Sequence, residues 1–154
     1  MHVRNSLKAV IIQNNRILLT KNQDEDGVFY LFPGGGQHHG ETFHEALTRE
    51  CHEEIGAEII INDLIFVREY IGKNHEHSEH DYSVHQVEYL FSCELKDPEQ
   101  KEFIGFNPDE HQSGVEWVAI SSIDKVRMYP DSIRKHLRNK VNNHHTPIYL
   151  GDIN

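Results

Sequence analysis

Phe32-Pro33-Gly34-Gly35-Gly36-Gln37-His38-His39-Gly40-Glu41-Thr42-Phe43-His44-Glu45-Ala46-Leu47-Thr48-Arg49-Glu50-Cys51-His52-Glu53-Glu54-Ile55-Gly56-Ala57 is the stretch on which the reading of this chain turns. Its opening proline and three glycines suit neither a helix nor a regular strand. Thr42 and Glu45 have the spacing of a capping box, in which a threonine side chain accepts from an exposed amide and a glutamate reaches back. A helix is therefore expected to start there and run to Ile55, with Gly56 supplying the left-handed residue that commonly ends a helix.

Working outward, residues 6–12 and 16–20 are apolar runs separated by Gln13-Asn14-Asn15, where asparagine tolerates the positive φ of a tight hairpin turn. A short strand is expected at 28–31, strands at 57–61 and 63–71, and a His- and Glu-rich loop at 72–83. A strand at 84–95 would place Val87, Tyr89, Phe91 and Cys93 on one face. A long loop from Asp97 to Gly114 then leads to a last strand at 115–120, which carries Trp117. Helices near 121–126 and 130–141 follow, the second opened by Pro130. Nothing divides the chain into parts, so residues 1–154 read as one domain of α/β (α+β) class, a sandwich of helices and strands.

At about 100° per residue, Glu50, Glu53 and Glu54 fall on one side of the expected helix. The apolar stripe Phe43, Leu47, Cys51 and Ile55 overlaps that side, which puts Glu50 and Glu54 beside the core. Like charges held together there need a counter-charge, and an oxygen-only ligand set selects a hard divalent cation. Gly34, Gly35 and Gly36 let the backbone approach a ligand closely, and the Gly35 carbonyl would add one more hard oxygen. Arg49 projects to another side, where a bond to Glu41 would hold the glycine loop against the helix.

Gly35, five residues, Glu41, seven residues, and Arg49-Glu50-Cys51-His52-Glu53-Glu54-Ile55-Gly56-Ala57, preceded by Phe32-Pro33-Gly34, resemble the Nudix box of the Nudix hydrolases. Every charged and glycine position of the box is present. Cys51 and Ala57 depart from it, standing where the family has bulky aliphatic residues. The resemblance implies an α/β/α sandwich with a mixed central sheet. It also implies Mg²⁺- or Mn²⁺-dependent hydrolysis of a nucleoside diphosphate linked to another moiety. Glu50, Glu53 and Glu54 would be metal ligands, one of them orienting or deprotonating the attacking water, with Glu41 and Arg49 in support. Family members often take a further carboxylate from a loop before a tryptophan-bearing strand, which nominates Glu110 first and Asp109 second. The first proline after Ala57 is Pro98, so the early proline associated with ADP-ribose hydrolases is missing. The competing reading is a non-catalytic nucleotide sensor of the same fold, although sensors of that kind have usually lost box carboxylates.

Elsewhere the pattern excludes more than it assigns. Fifteen Lys and Arg against 25 Asp and Glu leave a formal charge of −10, the wrong sign for tracking duplex nucleic acid, so a small-molecule nucleotide is the expected partner. No stretch is long and apolar enough to span a bilayer and no signal sequence is evident, which points to a cytoplasmic location. A homodimer suits a protein of this size. Cys51 and Cys93 read as reduced and interior, Glu88 as half-exposed, and His75 to Asp81 as a polar loop without zinc-ligand spacing. Tyr82 is the aromatic residue expected to stack on a nucleobase.

Overall fold

The computed structural model describes residues 2–154. Strands β1 (Arg4–Gln13) and β2 (Arg16–Asp24) form the expected hairpin, pairing Ile12 with Ile17 and Gln13 with Arg16. Asn14 and Asn15 turn it at φ values of 52° and 58°, the left-handed region that this turn demands. Past the turn the two strands part, and each builds its own half of a mixed sheet. β1 takes β4 (Gly34–Gly36) on one side and, in parallel, β6 (His85–Leu95) on the other. β6 then pairs with β5 (Ile59–Ile71), and β5 with β9 (Tyr149–Asp152). β2 lies between β3 (Gly27–Leu31) and β7 (Gln112–Ala119), and β3 carries the two-residue β8 (Met128–Tyr129).

The alternation of β1 divides the interior. Leu7, Ala9 and Ile11 pack with Leu18, Leu47 and Ile55 beneath α1 (Phe43–Ile55), whereas Val10 joins Phe66, Leu90, Ile133 and Leu137 beneath α3 (Arg134–Val141). A helix on each side of a mixed sheet is the expected α+β sandwich. α1 begins on the full Thr42–Glu45 capping box and ends at Gly56, whose φ is 62°. Cys51 and Cys93 are buried free thiols.

Several expectations are corrected. The glycine segment, expected to avoid regular structure, is strand β4, because pairing with Ser6, Leu7 and Lys8 satisfies its backbone. Residues 59–71 form one strand, since the interruption at Asn62-Asp63 is absorbed as a register shift against β6. The 72–83 segment contains a 3₁₀ turn and the four-residue α2 (Ser78–Asp81), and His75 Nε2 pairs with Asp152 at 2.6 Å. The expected helix at 121–126 is a 3₁₀ segment, Ile120–Lys125. Pro130 opens a 3₁₀ turn rather than α3 itself, which starts at Arg134. β8 and β9 were not expected. Glu88 is not half-exposed: it is buried and receives the Nε of buried Arg68 at 2.6 Å, together with the Gln86 amide. Among the described residues no helix is long and apolar enough to cross a membrane.

Candidate active site

The site is built where β4 meets α1. Gly34 adopts a φ of 135°, and a Cβ there would lie 1.9 Å from the Leu7 carbonyl oxygen, so glycine alone permits the β4 to β1 pairing. A Cβ on Gly35 would instead stand 2.6 Å from the Glu50 carboxylate, which marks a space shared by a backbone segment and a carboxylate. The Gly34 N–H donates to Glu54 Oε2 at 2.9 Å, tying the glycine strand to the last turn of the helix.

Arg49 is the organising cation. Its Nε and Nη2 donate to the two oxygens of Glu41 at 2.6 and 2.9 Å, and Nη2 also donates to the Gly36 carbonyl at 2.9 Å. Nη1 reaches Glu50 at 2.9 Å and Glu53 at 3.4 Å. Loop, strand and helix are thus held by a single planar guanidinium, a task for which lysine lacks the donor geometry. Glu41, fixed by Arg49 and the His38 N–H, is held well below the usual carboxylate range, at about 2.

Glu54 is 3% exposed, and its pKa is pushed up to about 8. Burial is the main cause, opposed by Lys8 and the Gly34 N–H and reinforced by the neighbouring carboxyl of Asp109. Asp109 and Glu110 are both exposed, and of the two it is the Asp109 carboxyl that acts on Glu54. Gln112, two residues beyond Glu110, donates to the Glu54 carbonyl at 2.9 Å and anchors that loop. Its Oε1 is buried without a partner among the described residues. In this state Arg49 occupies Glu50 and Glu53, and among the described residues no three His, Cys, Asp or Glu side chains already converge in ligand geometry. The donor set nonetheless fits a hard divalent cation: carboxylate oxygens flank a glycine strand cleared of side chains at the point where Gly35 meets Glu50.

A cleft of about 590 Å³ lies on the same sheet, and none of Gly35, Glu50, Glu53 or Glu54 lines it. One end is marked by Leu31 and His111, close in sequence to Gly34 and to Asp109. One wall carries Phe29 and Tyr129, and Arg127 lies over both rings at 5.0 and 5.5 Å from their centroids. Arg127 is held flat by two 2.7 Å bonds to the Asp24 carboxylate. The opposite wall carries Tyr70, whose hydroxyl donates to Asp81 at 2.7 Å, together with Arg68 and Gln86. Tyr82 is 70% exposed and lies outside the lining, so the cleft's aromatic residues are others. Sequence reading missed this wall because Arg127 and Tyr129 are about 100 residues from Asp24 and Phe29 and come beside them only through the pairing of β8 with β3.

The NUDIX domain family model matches residues 4–139, and the chain belongs to that family. A nucleoside triphosphatase, NudI, from Salmonella arizonae is 43% identical over 58 residues, which make up 35% of this chain and 41% of the relative. The chain thus matches less than half the length of this curated relative. Among solved structures, a NUDIX hydrolase from Nitrosomonas europaea superposes with a TM-score of 0.71 at 17% identity, covering 95% of this chain and 93% of the other. An ADP-ribose pyrophosphatase from Streptococcus suis gives 0.66 at 18% identity, covering 98% of this chain and all of the other. At these identities the structural likeness establishes the fold alone.

Proposed function

We propose that the protein hydrolyses the diphosphate bond of a nucleoside diphosphate linked to another moiety, using Mg²⁺ or Mn²⁺. The observation that carries this reading is the arrangement at α1, where Arg49 gathers Glu41, Glu50 and Glu53 beside the glycine strand and buried Glu54 takes the Gly34 N–H, with an aromatic cleft suited to a nucleoside on the same sheet. Glu50, Glu53, Glu54 and the Gly35 carbonyl would hold the cation, with Asp109 as the added carboxylate. When bound, it offsets the charge of the diphosphate and activates water for attack.

The chain's own residues supply the rest. Arg49 and Glu41 keep the glycine strand registered on α1, which holds Gly35 beside the Glu50 carboxylate. One of the three glutamates orients or deprotonates the attacking water. The ring pair Phe29 and Tyr129, with Arg127 fixed over it, would orient the nucleoside so that its diphosphate lies at the glycine strand. The likeness to NudI, a nucleoside triphosphatase, supports a nucleoside triphosphate as one substrate class; dinucleoside polyphosphates and nucleotide sugars are the others. We place the protein in the cytoplasm.

The test is incubation of purified protein with nucleoside triphosphates, dinucleoside polyphosphates and nucleotide sugars, with Mg²⁺, Mn²⁺ or chelator, followed by chromatography of the products. Metal-dependent release of a nucleotide product, lost in Glu54→Gln, is expected. A nucleotide that raises the melting temperature without being cleaved would instead establish a sensor.

A further inference from the structure

Lys8 stands between the two parts of the site without a partner of opposite charge. Its Nζ donates to the Gly34 carbonyl at 3.1 Å, and among the described residues no carboxylate oxygen lies within ion-pair distance of it. β1 pairs Lys8 with Gly34 on one side and with Leu90 on the other, while Ser6 pairs with Glu88. By strand alternation Lys8 shares a face with Val10, opposite Leu7 and Ala9, and so looks away from α1. Phe66 packs with Val10, so Arg68 and Tyr70 of the cleft wall belong to that same face. Lys8 therefore occupies the sheet surface between the cleft and the glycine strand.

The other cations nearby are committed or peripheral. Arg49 is bound to Glu41 and Glu50, Arg68 to Glu88, and Arg127 to Asp24. Arg4 lies against Gly36 but is exposed. Lys8 is half-buried, and its charge is felt by both Glu54 and Glu88. A half-buried ammonium resting on one neutral carbonyl retains two unused donors. A diphosphate running from the cleft to the carboxylates would pass over it and supply the missing negative charge.

We infer that Lys8 is a substrate-binding residue that contacts the diphosphate of the nucleotide, leaning on the Gly34 carbonyl until the substrate arrives. This rests on the proposed hydrolytic reading and adds to it a contact outside the Gly35 to Ala57 motif. Lys8 would contribute charge-assisted hydrogen bonds to phosphate oxygens, and its removal should weaken diphosphate binding by about 10- to 100-fold. Arginine keeps the charge and should retain most of the affinity.

The test measures binding of imidodiphosphate, a non-hydrolysable diphosphate, by calorimetry in saturating Mn²⁺, using wild type, Lys8→Met, Lys8→Arg and Arg4→Met. Melting temperature and Mn²⁺ affinity are recorded for each protein. Lys8→Met should lose at least about tenfold in imidodiphosphate affinity with Mn²⁺ affinity retained, Lys8→Arg should stay within about threefold of wild type, and Arg4→Met should lose less than Lys8→Met. Unchanged imidodiphosphate affinity in Lys8→Met would overturn the inference while leaving the hydrolytic reading intact. Equal losses of Mn²⁺ affinity and melting temperature in both Lys8 variants would overturn it by showing a purely structural prop. Failure of the wild type to bind Mn²⁺ and imidodiphosphate at all would overturn the reading of the site, and this inference with it.

Discussion

Gly34 and Gly35 are adjacent and chemically identical, yet alanine at each should fail in a different way. At Gly34 the new Cβ would meet the Leu7 carbonyl oxygen at 1.9 Å and Lys8 Cα at 2.9 Å, both of them backbone, and the φ of 135° is one that alanine resists. Relief requires the β4 to β1 pairing to open. The backbone strain alone is worth about 1–3 kcal/mol, and at about 2–4 °C per kcal/mol for a domain of this size the melting temperature should fall by roughly 2–12 °C. At Gly35 the atoms nearest the new Cβ would be those of the Glu50 carboxylate, at 2.6 to 2.7 Å, and that group is the end of a flexible side chain. Glu50 can swing aside at the expense of its 2.9 Å bond to Arg49, so the fold should hold to within about 1 kcal/mol. The carboxylate would then be displaced by an ångström or more, and activity should drop about 100-fold. Thermal unfolding followed by kcat/KM in Mn²⁺ separates the two effects. A Gly35→Ala protein that unfolds earlier than Gly34→Ala, or that keeps full activity, would refute this account of the glycine strand.

The buried Arg68–Glu88 pair gives a second test: Glu88→Ala strands a buried guanidinium and should cost about 3–5 kcal/mol in chemical denaturation. Attraction to Arg68 and Lys8 holds Glu88 below its ordinary 4.5 despite burial, so its contribution is present above pH 4.5 and is lost as the pH falls through the lower folded value. Denaturation midpoints of Glu88→Gln should therefore vary less with pH in that acidic range than those of wild type. Tyr129→Leu and Arg127→Met should raise the KM for a nucleotide substrate about tenfold with kcat within about threefold, as initial-rate kinetics would show. Asp109→Asn should lower kcat/KM by about 10-fold or more, whereas Glu110→Gln should remain near wild type.

What could be read from the chain was local. The capping box, the left-handed Gly56, the Asn14-Asn15 turn and the shared arc of three glutamates each depend on residues a few positions apart, and all stand in the structure. Glu88 was misjudged because its partner Arg68 is 20 residues away and adjacent only through the β5 to β6 register. β9 is short, contains Gly151 and pairs in parallel with β5, so no hairpin turn announces it. Of the two acids named beyond the motif, it is the second, Asp109, whose carboxyl acts on Glu54, and spacing alone does not encode the turn from Asp109 to Gln112 that sets this. Lys8 carried no signal beyond a polar residue alternating with Leu7 and Ala9, since its role depends on what β4 and β6 bring to either side.

The most direct measurement is anomalous diffraction from crystals holding Mn²⁺ and an α,β-imido nucleoside triphosphate, which locates the cation and the nucleoside together. The account predicts Mn²⁺ among Glu50, Glu53, Glu54 and the Gly35 carbonyl, with the base against Tyr129 and Phe29. Manganese bound elsewhere, such as at His75 and Asp152, or a nucleoside lodged outside the cleft, would contradict it.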